Sequence, residues 1–385
     1  MLRFNAGVKY RNKLILSSIM INGLWVYDIG LERFVCYKRF EKEVNSYAIH
    51  RKAFLYNKEA WFVPQNGRYI AVVNLDNYDI NYIDLPFMSI NQEGIDCANS
   101  MIYDGGIFDE HYLYLIPSGI DAVNIFDLRD KSVVTFYNIN TDEQVMAYGF
   151  YHDNKLYMYS WERLKLKILD IKTGIVEDKY YYEEQENGLV YGEAVVDYEK
   201  NIAYIAPGKD SDVILYLNMD DLSVHKIHLN DQVITEHALD YGNEIVFWGL
   251  QSEKIVILDK ESRNVRVQKV LADHKPEDII YASIDSDQDK IALSRELQCW
   301  CKYVPEAGTV EVGEIRIDYR IINDLLYKEL KKSLLQVQNI AINDIIPEIC
   351  IPLDCFLACL DVRCTDLISK DQEDIGRMIW NKLKV

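Results

Sequence analysis

Residues 167–176 read KILDIKTGIV and residues 256–265 read VILDKESRNV. Each segment is a short apolar run that ends at an Asp, followed by a polar turn and the start of a second run. An Asp or Asn side chain accepts a hydrogen bond from a backbone N–H two residues on, so it starts tight turns. Apolar and β-branched runs on both sides of such a turn are typical of antiparallel strands. The same pattern recurs with the turn residue at Asp28, Asp84, Asp127 and Asn218.

A second landmark sets the period of the repeat. Short apolar runs begin at residues 14, 60, 112, 156, 202, 245 and 291. The mean step between them is about 46 residues, and a further short run lies before each one. A repeat of this length that holds four strands is typical of a β-propeller blade. The sequence therefore predicts an all-β fold, a seven-bladed β-propeller with four-stranded antiparallel blades.

Over residues 3–317 this pattern resembles the seven-bladed propellers of the kelch, WD-repeat and YVTN kinds. The double glycine of kelch repeats occurs once, at Gly105-Gly106, and the Gly-His and Trp-Asp dipeptides of WD repeats are missing. Residues 283–294 are similar to one hairpin of TolB-type blades. The family within the propellers is therefore left open. Two ways of closing the ring are also left open. In one, every blade is contiguous in sequence and residues 3–9 form the inner strand of the first blade. In the other, one blade is completed by a strand from the opposite end of the propeller sequence.

The pattern changes near residue 318, which predicts a propeller over residues 1–318 and a small C-terminal α-helical appendage over 319–385. Apolar residues recur at helical spacing over 322–338, with Asn323 or Asp324 as the cap. Shorter helices are expected at 354–362 and after Asp371. The appendage either packs against the propeller or docks a partner.

Composition excludes several classes of function. The chain has 385 residues and a formal net charge of −19, which argues against nucleic-acid binding and against anionic membrane surfaces. No apolar stretch has the length of a transmembrane helix, and no signal peptide is recognisable, so a cytoplasmic protein is expected. The eight Cys are expected to be thiols.

Motifs for catalysis, cofactors and metals are not found, so no cofactor is expected and an enzyme is disfavoured. There is no phosphate-binding Gly loop, no G-x-S-x-G and no H-E-x-x-H. His225 and His228 are interpreted as ordinary surface residues on an outer strand. Buried thiols rather than zinc ligands are expected at Cys299, Cys301, Cys350, Cys355, Cys359 and Cys364, because no C-x₂-C pair occurs. A solvated turn rather than a calcium loop is expected at Asp285, Asp287 and Asp289.

The predicted blade-to-blade loops are strongly acidic. Together they hold fourteen acidic and two basic residues, a net charge of −12. The acidic cluster Glu183, Glu184 and Glu186 stands out. These loops are 41–46, 85–100, 138–146, 181–192, 229–236 and 270–280. They share one propeller face with a mixed channel mouth, for which the candidate residues are Gln65, Arg68, Trp161, Glu162, Arg163, Lys209, Gln251, Arg295 and Glu296.

Two functions follow from this map. The first is a non-enzymatic protein-interaction scaffold that presents the acidic face, and with it the helical tail, to a partner with a basic surface. The alternative is a propeller that binds a glycan or another small polar ligand at the channel mouth. A carboxylate pair such as Glu162 and Glu296 would make it a carbohydrate hydrolase or lyase.

Overall fold

The structure is a computed structural model. It describes residues 2–19, 21–43, 48–85, 103–109, 111–118, 122–139, 148–160, 165–180, 191–208, 211–271, 273–275, 279–286, 289–295 and 297–337. Over these residues the chain forms 28 β-strands and one α-helix. The one described helix is not long and apolar enough to cross a membrane.

The strands follow one another in consecutive sets of four, which we call groups 1 to 7. Group 1 is β1 (Phe4–Tyr10), β2 (Lys13–Ser18), β3 (Leu24–Asp28) and β4 (Arg33–Lys38). Group 2 is β5 (His50–Tyr56), β6 (Glu59–Pro64), β7 (Tyr69–Asn74) and β8 (Ile80–Asp84). Group 3 is β9 (Tyr103–Asp109), β10 (Tyr112–Pro117), β11 (Ala122–Asp127) and β12 (Ser132–Asn138). Group 4 is β13 (Tyr148–His152), β14 (Lys155–Tyr159), β15 (Lys165–Asp170) and β16 (Val176–Tyr180).

Three further groups and the helix complete the described chain. Group 5 is β17 (Tyr191–Asp197), β18 (Ile202–Pro207), β19 (Val213–Asn218) and β20 (Val224–His228). Group 6 is β21 (Thr235–Asp240), β22 (Glu244–Gly249), β23 (Lys254–Asp259) and β24 (Val265–Lys269). Group 7 is β25 (Tyr281–Ser286), β26 (Ile291–Ser294), β27 (Cys299–Val304) and β28 (Thr309–Glu314), and helix α1 (Tyr319–Val337) follows it.

The fold is an all-β propeller with four-stranded antiparallel blades, as the repeat predicts. The number of separate sheets differs from the expected seven blades. Groups 2 to 6 are five separate sheets, whereas groups 7 and 1 form one eight-stranded sheet of order β28-β27-β26-β25-β1-β2-β3-β4. The two halves are joined by a short parallel pairing of Val8 with Asp285 and of Lys9 with Ser286.

The core consists of apolar layers between consecutive groups. For example, Phe54, Trp61 and Val72 of group 2 pack against Leu113 and Phe126 of group 3. Comparable layers lie between every other pair of neighbouring groups, and one lies between groups 7 and 1. The first strands of the groups contact one another in order around the ring, from β1 through β25 and back to β1. They are therefore the inner strands that surround the central channel.

Five of the six turn residues act as the sequence predicts. The carboxylate of Asp170 accepts hydrogen bonds from the N–H groups of Lys172 (3.0 Å) and Thr173 (2.9 Å). Comparable bonds form at Asp28, Asp127, Asn218 and Asp259. The expected turn at Asp84 is wrong, because Asp84 ends the outer strand β8. In group 2 the turn residue is Asn74, whose Oδ1 accepts from the N–H of Asp76 at 2.9 Å.

Helix α1 lies in the layer that joins groups 7 and 1. Its buried residues Ile322 and Leu326 belong to the same apolar cluster as Trp25 and Phe34 of group 1. The expected cap at Asn323 or Asp324 is wrong. The helix begins at Tyr319, and the Asp318 carboxylate accepts from the N–H of Arg320 at 2.9 Å. The shorter predicted helices lie outside the described residues.

Replacing Ile322 by Ala should destabilise the propeller itself, because this side chain is 2% exposed in the layer between groups 7 and 1. The expected loss is about 2 to 5 kcal/mol of unfolding free energy, measured by urea denaturation. The matched control is Tyr327→Ala on the same helix, where the side chain is 64% exposed. Equal midpoints for the two variants would show that α1 contributes nothing to the core.

Candidate functional site in the central channel

Ionisable residues occupy equivalent places on several inner strands. Lys52, Glu193 and His237 each come directly before an Ala, on β5, β17 and β21 respectively. Small residues let these strands approach one another closely. At Gly192, for instance, a Cβ atom would lie only 2.6 Å from the carbonyl oxygen of Glu236. The inner strands therefore place charged side chains together at the axis.

Two ion pairs cross the channel. Lys52 Nζ lies 2.8 Å from Glu193 Oε1, which joins group 2 to group 5 on the far side of the ring. Arg51 pairs with Glu236, which joins group 2 to group 6. Tyr148 of group 4 donates its hydroxyl to Glu236 Oε1 at 3.3 Å. These contacts fix distant blades relative to one another.

His237 lies between the two carboxylates. Its Nδ1 is 3.2 Å from Glu193 Oε2, and its Nε2 is 3.7 Å from Glu236 Oε2. Glu193 Oε2 also accepts from the N–H of Ala238 at 3.3 Å. Arg51, Lys52, Glu193, Glu236 and His237 therefore form one connected set, which we call the channel network.

The network keeps both of its carboxylates ionised. Burial alone would raise the pKa of Glu193, but the charges of Lys52 and His237 outweigh it and hold that pKa below the ordinary value. Burial likewise opposes the ionised form of Glu236, yet Arg51, His237 and Arg295 lower its pKa to about 2. Neither carboxyl holds a proton near neutral pH, so neither serves as a general acid.

A cavity of about 370 Å³ opens beside the network. It lies toward the ends of the inner strands, where each strand turns into the next, and Lys52 and Glu193 line it. Five of its lining residues, from groups 2 to 5, are aromatic: Phe54, Phe108, Phe150, Tyr151 and Tyr198. Two of them, Phe54 and Phe150, are mostly buried in the layers between groups. Aromatic walls with a few charged groups are typical of ligand pockets.

Asp285 also lines this cavity. Burial raises the pKa of its carboxyl, although its two oxygens accept from the N–H groups of Leu55 (2.7 Å) and Ser286 (2.9 Å). The expectation of a solvated turn at the three aspartates is therefore wrong for Asp285, which is mostly buried. Asp289 pairs with both Lys9 and Lys302. Asp287 lies outside the described residues.

Four of the residues predicted for the channel mouth are described, and they lie at the other end of the ring. Gln65 and Arg68 lie in the β6–β7 loop, Gln251 in the β22–β23 loop and Arg295 after β26. None of these four lines the 370 Å³ cavity. Arg295 is tied to the network through its charge on Glu236. The other candidates lie outside the described residues: Trp161, Glu162, Arg163, Glu183, Glu184, Glu186, Lys209 and Glu296.

Two acidic residues of the predicted loop face are buried instead. Glu236 belongs to the channel network, and Glu43 is 1% exposed. The Glu43 carboxylate accepts from the N–H groups of Arg68 and Tyr69, both at 2.9 Å, and so holds the β6–β7 loop in place. Both carboxyl groups have partners within the fold, although burial raises the pKa of Glu43. Most of the acidic loops, with the cluster at 183–186, lie outside the described residues.

Other predicted residues behave as ordinary structural groups. Cys299 and Cys301 are buried free thiols, as expected. His225 and His228 lie on the outer strand β20, and both are exposed. No cluster of three or more potential metal ligands occurs among the residues that the structure describes. Cys350, Cys355, Cys359 and Cys364 fall outside that part of the chain.

The channel network was missed because its signal is weak in a single sequence. An ionisable residue directly before an Ala, in a short run that precedes the apolar landmark, recurs at Lys52, Glu193 and His237. A charge at the same register of several repeats indicates a shared position at the axis. The pairs themselves have separations of 141 and 185 residues along the chain, which no local pattern reveals.

Comparisons with known proteins support the fold. No family model and no curated protein matches the sequence. Among solved structures, a chain of the mitotic checkpoint complex has a TM-score of 0.52 at 10% identity, covering 82% of this chain and 87% of that one. Hsv2 of Kluyveromyces lactis has a TM-score of 0.50 at 8% identity, covering 82% and 100%. The computationally designed Ika8 protein has a TM-score of 0.51 at 12% identity, covering 82% and 96%. At identities this low, the structural likeness shows a shared β-propeller fold and nothing more.

The channel network predicts how stability depends on pH. The folded-state pKa of Glu236 lies below its ordinary value of 4.5. Its contribution is therefore complete above pH 4.5 and is lost as the pH falls toward about 2. Glu236→Gln should lower stability at neutral pH by about 3 to 5 kcal/mol, since it removes the negative charge that Glu236 places beside the mostly buried Arg51. It should also flatten the acid limb of the stability curve, measured by urea unfolding between neutral and acid pH.

The matched control is Glu199→Gln, because Glu199 is exposed in the β17–β18 turn. Its stability should stay within about 0.5 kcal/mol of the parent chain at every pH. An acid limb for Glu236→Gln that runs parallel to the parent curve would contradict the ionised state of this carboxylate.

Proposed function

We propose that the chain is a seven-bladed propeller and that the eight-stranded sheet consists of its first and last blades. Three observations support this count. The parallel pairing between β1 and β25 involves only two residue pairs. The layer between groups 7 and 1 is apolar like the layers between the other groups. In each described group the four strands are consecutive in sequence, which favours closure without an exchanged strand.

We infer that this propeller is a non-enzymatic scaffold for protein interaction. The observation that carries the inference is the channel network, in which the charged groups at the axis are paired with one another across the ring. Such pairs fix the blades in place, and a rigid ring holds its loops for binding. One structural neighbour is a component of an assembly, the mitotic checkpoint complex. That association belongs to the neighbour and serves here only as an analogy.

The proposed binding surface is the acidic loop face, with a partner that carries a basic surface. Support comes from the net charge of the blade-to-blade loops, reduced by the two carboxylates that the fold buries, Glu43 and Glu236. In the described part of these loops Asp231 is paired with Lys254. The proposal therefore rests mainly on the cluster Glu183, Glu184 and Glu186. A face of one sign accelerates encounter with a partner of opposite sign.

The proposed tail element begins after α1. Because Ile322 and Leu326 belong to the core between groups 7 and 1, the helix serves the propeller as much as the appendage. A truncation that tests the tail should therefore end at Val337 and not at residue 318. The first partner search compares that truncation with the full chain.

The acidic face is tested with Glu183→Gln/Glu184→Gln/Glu186→Gln in the full chain. A stoichiometric partner captured from native lysate by the parent protein and identified by mass spectrometry is then titrated against the purified variant. We expect the affinity to fall about tenfold or more, and raised salt to weaken the parent complex in the same way.

The control carries the same charge change on the opposite end of the ring. Asp130, Glu199 and Glu306 are exposed residues of hairpin turns, so Asp130→Asn/Glu199→Gln/Glu306→Gln should bind the partner like the parent. Equal affinity of the two triple variants would rule out the acidic face as the binding surface. A partner bound by the full chain and not by the truncation at Val337 would assign binding to the tail.

A second candidate function is favoured by the aromatic cavity, which suits a small polyhydroxylated ligand such as a sugar. Aromatic rings stack on the apolar faces of such molecules, while Lys52, Glu193 and Asp240 offer hydrogen-bonding groups. The carboxyls of Glu193 and Asp285 have pKa values shifted in opposite directions, as acid and base groups do. However, both oxygens of Asp285 already accept backbone N–H groups, so the cavity supports binding better than catalysis.

This candidate is tested by calorimetric titration with a panel of neutral mono- and oligosaccharides. Tyr198 lines the cavity and is 65% exposed, so Tyr198→Ala should weaken binding about tenfold without unfolding the chain. Tyr327→Ala, an equally exposed tyrosine on α1, is the matched control. Binding that is unchanged in Tyr198→Ala would place the ligand elsewhere.

A further inference from the structure

A groove of about 490 Å³ lies where the two halves of the eight-stranded sheet meet. Group 1 contributes Lys9 from β1, Arg11 from the following turn and Ile29 from the β3–β4 turn. Group 7 contributes Ile291 of β26 with Trp300 and Lys302 of β27. The groove opens at the hairpin-turn end of the ring, away from the blade-to-blade loops.

The described lining of the groove carries one more basic than acidic residue. One carboxylate, Asp289, serves two ammonium groups, with Lys9 Nζ at 3.1 Å and Lys302 Nζ at 2.9 Å. Together the two lysines hold the pKa of Asp289 below its usual range. Arg11 adds a third cation, and Glu311 is the second acid in the lining. Three cations therefore face two acids in a protein whose net charge is −19.

Trp300 gives the groove an apolar floor. It alternates along β27 with the buried thiols Cys299 and Cys301, so its ring points to the other side of the strand. The ring lies across Gly313 of the neighbouring strand, where a Cβ atom would be 2.1 Å from Trp300 Cε2. Any larger residue at position 313 would displace the ring. Trp300 is only partly buried, and the partly buried Ile29 extends the apolar surface beside it.

We propose that this groove binds an acidic segment of a protein partner, with a carboxylate at Lys9 and Lys302 and an adjacent aromatic side chain against Trp300. Charge complementarity selects this occupant, because two lysines that share one carboxylate bind a second carboxylate through charge-assisted hydrogen bonds. An aromatic neighbour gains stacking area on the indole ring. The inference rests on the proposed scaffold role but uses the opposite end of the ring and the opposite sign of charge.

The probe is the acetylated and amidated peptide Ser-Asp-Phe-Glu-Asp-Ser, titrated into the full chain by calorimetry. Lys302→Met should weaken binding about fivefold to tenfold, the effect of one charge-assisted contact. Lys328→Met, which removes an exposed lysine of α1, is the matched control and should bind like the parent. The peptide Ser-Lys-Phe-Lys-Lys-Ser should not bind.

The variant Asp289→Asn distinguishes peptide binding by these lysines from a merely structural role. This change removes the carboxylate that occupies both lysines, so peptide affinity should rise severalfold even if the fold loses some stability. Glu311→Gln, at an exposed position of the same groove, should also raise the affinity for the peptide. It replaces Asp289→Asn as the test if that variant does not fold. Equal affinities for Lys302→Met and Lys328→Met, or weaker binding to Glu311→Gln than to the parent, would overturn the proposal.

The site of binding is read from tryptophan emission. Among the described tryptophans, Trp25, Trp61 and Trp248 are fully buried, whereas Trp300 is partly exposed. The acidic peptide should change the emission of the parent, and Trp300→Phe should abolish that change while keeping weaker binding. An emission change that persists in Trp300→Phe would place the peptide elsewhere. Peptide binding that survives in the Glu183/Glu184/Glu186 variant separates this groove from the acidic face.

Discussion

The whole structure depends on covering both faces of every four-stranded sheet. A single sheet of this kind with two apolar faces cannot be stable in water, because each face needs a partner. Consecutive groups supply that partner to one another, and the layer between groups 7 and 1 closes the series. Helix α1 adds Ile322 and Leu326 to this last layer. The helix thereby covers apolar surface on the outer part of the first group, beside β4.

Closing such a ring brings the inner strands together at the axis, where space is limited and water is largely excluded. Charged side chains there need partners of opposite sign, since an unpaired buried charge is costly. Arg51, Lys52, Glu193 and Glu236 meet this need across the ring rather than between neighbours. The ion pairs thus complement the apolar layers. The layers attach each group to the next, whereas the pairs attach group 2 to the opposite side.

The fold could be predicted largely from the sequence, because the repeat is a local property. The apolar landmarks all fall on the second strand of a group, and five of the six turn residues act as expected. The error at Asp84 arose where two similar candidates, Asn74 and Asp84, follow one another before the long segment 85–102. The candidate site could not be predicted in the same way. Its ion pairs join residues from distant repeats. The sequence also predicts Glu236 on the acidic face, because this residue adjoins a blade-to-blade loop.

The layer between groups 7 and 1 has a consequence for the growing chain. Among the described residues, the side of group 1 that carries Trp25, Phe34 and Tyr37 packs against group 7 and α1. Tyr27 donates its hydroxyl to the carbonyl of Glu314, 287 residues further along the chain. During synthesis this aromatic surface therefore stays exposed until nearly the whole ring has left the ribosome. Contacts of such long range also slow folding, so the apolar surface of the first group is open to aggregation while the protein is being made.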